Sequence, residues 1–276
     1  MAKETVDGGV YPITTRDLSV DKWEKHYSSM TDSDLVREKS NYERCIEREI
    51  LPHLRRSLKL KSSHDLENKT YLEIGCGPAF LACYLAKYGV YCLGVDVSMK
   101  GLKLASKLFR MSSVEGNFIC ADILHLPLAP NACDLIYGGG VIEHARGIQQ
   151  AINELCRVLK PRGVAFNTVP YLSLGSITYR QIHGNIPDIP LVGSLMELFH
   201  LQLLKGKHMR FGYEKSFTAS TLKRLFRLAG FRHVRLGLFD TYLPLMYIKN
   251  PRIKGVIRRI AKLRPFWPMI YVLSIK

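Results

Sequence analysis

The sequence predicts an α/β fold, a mostly parallel sheet with helices on both faces, and three observations carry the prediction. From Thr70 to Pro170 short apolar runs alternate with helical patterns of roughly ten residues or more. The first run, YLEIG, passes through a turn of small residues into a helical pattern, which is the order of a βα unit. The chain has 276 residues, 47% hydrophobic and 23% charged, enough for one sizeable core in an ordinary globular composition.

The elements follow in order. Residues 1–20 are polar. Residues 21–60 carry helical periodicity and form an N-terminal extension; Asp32 or Ser33 is the expected N-cap of a charged helix that ends near Leu51-Pro52. Residues 61–276 make the main domain. In it YLEIG is a strand, AFLACYLAKYG a helix closed by Gly89, and VYCLGVDVS the second strand. MKGLKLASKLFRMS is helical; NFICADI and CDLIYGGG are strands. GIQQAINELCRVLKPRG is a helix stopped by Pro161 and Gly163, and VAFNTVP is a strand. Residues 171–215, rich in Leu, His, Gly and Pro, interrupt the rhythm as an insertion with one or two short helices. A helix from Ser216 to Gly230, the strand FRHVRLGLF, a basic segment over 250–268 and a last strand, MIYVLSI, complete the chain.

Composition bounds the function. Seven cysteines, an odd number without a C-x-x-C pair, sit mostly in apolar runs and read as reduced, buried thiols; no metal site is expected. No apolar run approaches the roughly 20 residues that span a bilayer, and the first twenty residues lack the apolar centre of a signal peptide, so a cytoplasmic location is expected. Residues 200–276 hold 17 Lys and Arg against 2 Asp and Glu, so nearly all of the net charge of +16 lies there, and an anionic surface is the implied partner.

The stretch YLEIGCGPAF carries the chemistry. In open α/β sheets ligands bind beyond the carboxyl ends of the strands. Gly75 and Gly77 stand there, where they permit a tight turn and close approach of a ligand to the backbone. Phe80 occupies the place of the third glycine in a dinucleotide fingerprint, which argues against NAD. Glu73 precedes the loop, Asp96 closes the second strand and Asp122 ends the third. Three carboxylates at adjacent strand ends suit a nucleoside that carries positive charge, with Asp96 placed for ribose hydroxyls.

Together, EIGCGPA, LGVD, AD, DLIYGGGVIEH and RVLKPRG resemble the class I S-adenosylmethionine-dependent methyltransferases, in particular the small-molecule branch with quinone-biosynthesis and sterol methyltransferases. The resemblance is strong over about residues 70–170 and topological beyond; Ala79 departs from it, because a third glycine is common there. It implies a Rossmann-like sheet of seven strands, the sixth and seventh forming an antiparallel edge. It implies S-adenosyl-L-methionine as cofactor: Glu73, Gly75, Cys76 and Gly77 near the methionine moiety, Asp96 on the ribose, Val97 against the adenine, Asp122 and Ile123 at the adenine amino group, and Gly138, Gly139 and Gly140 lining the transfer site. WEKHY, from Trp23 to Tyr27, resembles the N-terminal lid of such enzymes; a packing helix is the alternative reading.

Holding donor and acceptor in line is most of the catalytic task, and an oxygen or nitrogen acceptor also needs a base. His144, in VIEH, is the first candidate, against a structural role for the same pair; His183, His200, His208, Tyr179 and Tyr213 are further candidates in the insertion. The absence of D-P-P-Y-like and Pro-Cys motifs argues against adenine- or cytosine-amino and cytosine-C5 methylation. Arg252–Arg264 places Ile253, Val256, Ile257, Ile260 and Leu263 on one helical face with Lys and Arg on the other, followed by Phe266 and Trp267, the composition of a segment lying on anionic lipid. Its plain alternative is a crossover helix packed on the sheet. The segment LVGSLMELFHLQLL is expected to shape an apolar pocket. The expected acceptor is a small or lipid-linked molecule, methylated at oxygen or carbon, the enzyme being cytoplasmic or peripheral on the inner face of a membrane. Two alternatives stand beside it: an RNA or protein methyltransferase docking through the basic region, and a non-catalytic S-adenosylmethionine-binding protein.

Overall fold

A computed structural model describes residues 15–174, 183–209, 212–239 and 250–276; of residues 15–18, 254, 258 and 261 the backbone alone is described. The N-terminal helices are α1 (Thr15–Ser28), α2 (Asp32–Cys45) and α3 (Leu51–Leu58). Strands and helices then alternate: β1 (Thr70–Ile74), α4 (Phe80–Ala86), β2 (Tyr91–Asp96), α5 (Met99–Met111), β3 (Asn117–Cys120), β4 (Cys133–Gly139), α6 (Ile148–Val158) and β5 (Leu159–Pro170). The insertion contributes α7 (Val192–Glu197), which runs on as a wide turn over Leu198–Leu203. After it come α8 (Ala219–Leu228), β6 (His233–Leu238), α9 (Pro251–Ala261) and β7 (Met269–Ile275).

One seven-stranded sheet has the order β3-β2-β1-β4-β5-β7-β6. β1 to β5 pair in parallel; β7 runs antiparallel to both β5 and β6. The expected seven strands are therefore present, and the sixth and seventh form the expected antiparallel pair at one edge, with the last strand of the sequence on its inner side. It lies between β5 and β6, whose direction matches β1 to β5.

The alternation of side chains along each strand builds two cores. Tyr71, Tyr137 and Phe166 point to one face, against α2, α3, α4 and α5. Leu72, Ile74, Ile136 and Ala165 point to the other, against α6 and α8. In α6, Ile148, Ala151, Ile152 and Leu155 are the buried stripe at helical spacing. α4 is apolar almost all round because it is enclosed by the sheet and α2.

Three local expectations are corrected. The N-cap of α2 is Thr31, whose extended backbone lets its hydroxyl accept from Asp34 N while Asp34 accepts from Thr31 N; Asp32 and Ser33 lie inside the helix. The rod does not stop at Pro52. A wide turn over Ile46–Ile50, in which Leu51 N–H reaches back to the Ile46 carbonyl, lets α3 continue with Pro52 in its first turn, where a missing N–H costs little. β3 ends at Cys120, so Asp122 stands in the following turn. All seven cysteines are free thiols; five are buried as expected, but Cys45 is half-buried and Cys120, at the end of the short strand β3, is exposed.

Candidate functional site

The carboxyl ends of β3, β2, β1 and β4 lie side by side. The loop after β1 has three left-handed residues in alternation, Gly75 (φ 52°), Gly77 (φ 47°) and Ala79 (φ 57°). That backbone explains why small residues alternate there, and why glycine is favoured where Ala79 stands. An added Cβ on Gly75 would lie 2.6 Å from Val141 Cγ2, so the loops after β1 and β4 touch through the missing side chain. A Cβ on Gly77 would collide with the Tyr27 hydroxyl of α1.

Asp96 fastens this loop. It is buried; its Oδ2 accepts from Gly77 N at 2.7 Å and its Oδ1 from Ser98 N at 2.7 Å. Burial pushes its carboxyl up, while those two backbone donors pull it back. Cys76 N donates to the Val95 carbonyl at 3.1 Å, and its buried thiol is pushed well up by burial and by Asp96. Ala121 N donates to the Asp96 carbonyl at 3.1 Å, which brings Asp96 and Val97 beside Asp122 and Ile123. Asp122 Oδ1 accepts from Leu124 N at 3.0 Å, the geometry of a turn cap, and Ile123 is buried.

Glu73 points to the α4 face. Its Oε2 accepts from Ala82 N at 2.7 Å and from the Tyr71 hydroxyl at 3.1 Å, so it closes the first turn of α4. Burial pushes its carboxyl up to about 8 from an ordinary 4.5, against those two hydrogen bonds. The folded state thus holds a proton that the unfolded state has lost between these values. This group's contribution is full below about pH 4.5 and is lost as pH rises toward about 8. Accordingly, the thermal midpoint of Glu73→Gln is expected to gain on that of the wild type as pH rises from about 5 to about 8. Parallel midpoints across that range would show that Glu73 does not titrate there.

On the β4 side, Gly138 pairs with Ile74 and with Asn167, and Gly139 with Thr168. Gly140 N donates to the Thr168 carbonyl at 3.0 Å. The sequence reading missed Asn167. It is fully buried, and neither polar atom of its amide has a hydrogen-bond partner; its Oδ1 would lie 2.6 Å from a Cβ on Gly138. A polar residue inside the apolar run VAFNTVP is the same signal that singled out Glu73.

His144 sits on a short turn, Ile142–His144, after β4. Its Nδ1 lies 2.5 Å from the Tyr213 carbonyl oxygen. A carbonyl only accepts, so Nδ1 carries the proton and Nε2 is the basic nitrogen of the neutral ring. Trp23 of α1 stands edge-on to this ring at 6.3 Å. His183 lies in the insertion, next to Gly184, whose added Cβ would be 3.1 Å from His208 Nε2; His208 Nε2 is in turn 2.8 Å from His200 Nδ1. The structure thus divides the histidines between two places. Tyr179 lies outside the described residues.

α1 straps the two sides together. Glu24 Oε1 accepts from Ser98 Oγ at 2.7 Å at the start of α5, Ser19 Oγ accepts from Tyr213 N at 3.2 Å in the insertion, and the Tyr27 ring lies on the glycine loop. Burial and the nearby Asp96 push the Tyr27 hydroxyl well above its usual range.

Residues 72–167 match the family described as methyltransferase domain. Two curated relatives bracket the same region. A ubiquinone biosynthesis O-methyltransferase of Rickettsia conorii is 28% identical over 46% of this chain and 45% of its own. A malonyl-[acyl-carrier protein] O-methyltransferase of Enterobacter lignolyticus is 33% identical over 43% of this chain and 45% of its own. The chain spans less than half the length of both. The crystal structure of a SAM-dependent methyltransferase from Archaeoglobus fulgidus superposes with a TM-score of 0.52 at 17% identity, covering 82% of this chain and 92% of that one, a likeness of fold. Residues 72–167 are a methyltransferase domain, set in the fold of the class I S-adenosylmethionine-dependent methyltransferases. The matched segment runs from β1 to β5 and contains every expected cofactor contact from Glu73 to Gly139.

Proposed function

We propose that the protein transfers a methyl group from S-adenosyl-L-methionine to a small or lipid-linked acceptor, at oxygen in preference to carbon. The observation that carries this reading is the set of carboxylates Glu73 at the end of β1, Asp96 at the end of β2 and Asp122 in the turn after β3, with Asp96 buried and accepting from the backbone N–H of Gly77 in the glycine loop. The donor set fits the cofactor: Asp96 for the ribose with Val97 beside it, Asp122 and Ile123 for the adenine, and the loop Gly75–Gly77 with Gly138 and Gly139 for the methionine end. The orphaned amide of Asn167, beside Gly138, is a further group that a ligand would satisfy. Both curated relatives are O-methyltransferases by name, which favours oxygen.

When bound, the cofactor supplies a methyl group on a sulfonium, whose C–S bond breaks as the bond to the acceptor forms. The protein's part is to align the acceptor and exclude water. α1 covers the loop through Tyr27 and acts as a lid. His144 Nε2 takes the proton of an acceptor hydroxyl, with Tyr213 fixing the tautomer through Nδ1; His183, and Tyr179 outside the described residues, are the other candidates. No described helix is long and apolar enough to cross a membrane, so attachment to a membrane would be peripheral.

Calorimetric titration with S-adenosylhomocysteine, beside NAD, tests the reading. Micromolar binding of the first alone is expected; binding of NAD, or of neither, would overturn it.

A further inference from the structure

Two helices of the described chain hold their apolar faces in solvent. On α9 and the turn after it, Ile253, Val256, Ile257, Ile260, Leu263 and Phe266 are all exposed, Val256 by 56% and Leu263 by 57%. An added Cβ on Gly255 would meet nothing within 4 Å. The packed crossover helix is therefore excluded for this segment: its apolar face does not rest on the sheet. The insertion behaves in the same way. Leu191, Leu195, Leu198, Phe199 and Leu203 point outward, Leu191 by 80% and Leu203 by 71%, so the segment expected to shape an apolar pocket presents these side chains to the outside.

Both helices hang from one corner. β5 ends at Pro170, paired with Met269 at the start of β7. The next residue, Tyr171, holds both attachments. It bridges to Phe217 at the base of the insertion, and its ring lies 6.0 Å from Trp267, whose indole N–H donates to the Lys262 carbonyl at the end of α9 at 2.9 Å. Tyr171 is three residues beyond Thr168, opposite Gly139, so the corner lies about 10 Å along the strand from the proposed transfer site.

An apolar face of this size in water is a docking surface. Charge decides its occupant. Arg252, Arg259, Lys262 and Arg264 flank the α9 face, and Lys205 and Lys207 close the insertion helix; all six are exposed. A second copy of the chain would bring like charges together, and a nucleic acid would leave the isoleucines and leucines in water. An anionic lipid surface satisfies both the cations and the apolar side chains.

We propose that α9 and the α7 segment dock together on an anionic bilayer, and that the acceptor is taken from that leaflet with its head group reaching the β4–β5 edge. The choice of acceptor rests on the methyltransferase reading; the docking stands on the surface alone.

The test is co-sedimentation of the intact protein with vesicles of phosphatidylglycerol and phosphatidylcholine, and with phosphatidylcholine alone. Binding to the first, weakened by salt, is expected. Val256→Asp/Ile260→Asp on α9 and Leu195→Asp/Leu198→Asp on the insertion are each expected to weaken it at least about tenfold, because each removes two apolar side chains from the interface. Arg259→Glu/Lys262→Glu should do so most at low salt. All these side chains are exposed, so folding and S-adenosylhomocysteine affinity should stay at wild-type values. Four outcomes would overturn the proposal. One is no vesicle binding. The second is binding indifferent to the Asp substitutions. The third is dimerisation that the α9 substitutions abolish, with no vesicle binding. The fourth is binding of single-stranded RNA in place of vesicles. Vesicle binding by a protein that ignores S-adenosylhomocysteine would keep the docking and remove the cofactor reading.

Discussion

Asp96→Ala is expected to reduce S-adenosylhomocysteine affinity by roughly 100-fold or more, since two hydrogen bonds to a charged acceptor are each worth about 1.5–3 kcal/mol. The carboxylate has two tasks. It is the buried acceptor proposed for the ribose, and it already holds Gly77 N and Ser98 N at 2.7 Å each, which fixes the loop against β2. Its removal orphans two donors, but it also removes a carboxylate whose burial is unfavourable, as the upward push on its acidity records. These effects oppose each other, so thermal stability should change far less than affinity. Calorimetry and thermal unfolding on the same sample separate them. An affinity within threefold of wild type would exclude Asp96 from the site; a collapse of both would make it a structural residue first.

Gly75→Ala is expected to destabilise the protein by about 2–4 kcal/mol and to abolish cofactor binding. An alanine at φ 52° meets the left-handed penalty of about 1–2 kcal/mol, and its Cβ would stand 2.6 Å from Val141 Cγ2; because Val141 is half-buried and Gly75 exposed, that misfit adds about 1–2 kcal/mol, the lower part of the overpacking range. At about 2–4 °C per kcal/mol for a chain of this class, the thermal midpoint should fall by roughly 5–15 °C. Gly75→Ala/Val141→Ala should recover the steric part and leave the backbone part. If the double variant is no more stable than the single one, the collision is not what sets the loop.

The parts of the site that were legible in the sequence are the local ones. A carboxylate inside an apolar run, alternating small residues after it and an acid closing the next strand are one-dimensional signals, and the structure sets Glu73, Gly75, Gly77 and Asp96 around one loop. Asn167 carried the same signal, but its importance depends on lying opposite Gly138, a pairing across 29 positions that no local pattern records. The amphipathic character of 252–264 was legible as well. Whether its apolar face would rest on protein was not, because that depends on what the rest of the fold leaves uncovered. The cap of α2 was misplaced by one residue, since Thr31, Asp32 and Ser33 are all capping types and only backbone geometry chooses among them. The Tyr27–Gly77 contact spans 50 positions, and only the resemblance of WEKHY to a lid hinted at it.

The position of β7 has a consequence for how the protein is made. Residues 269–275 form the strand between β5 and β6, so no pairing can join those two before the ribosome has released this segment. Until then the nascent chain exposes the unpaired backbone N–H and C=O groups along one edge of β5, the kind of edge that templates aggregation. Closure must recruit a partner about 100 positions away, a slow class of contact to form. Chaperone dependence during synthesis, and rescue of a chain cut before Met269 by a peptide of its last strand, are the behaviours that this topology prescribes.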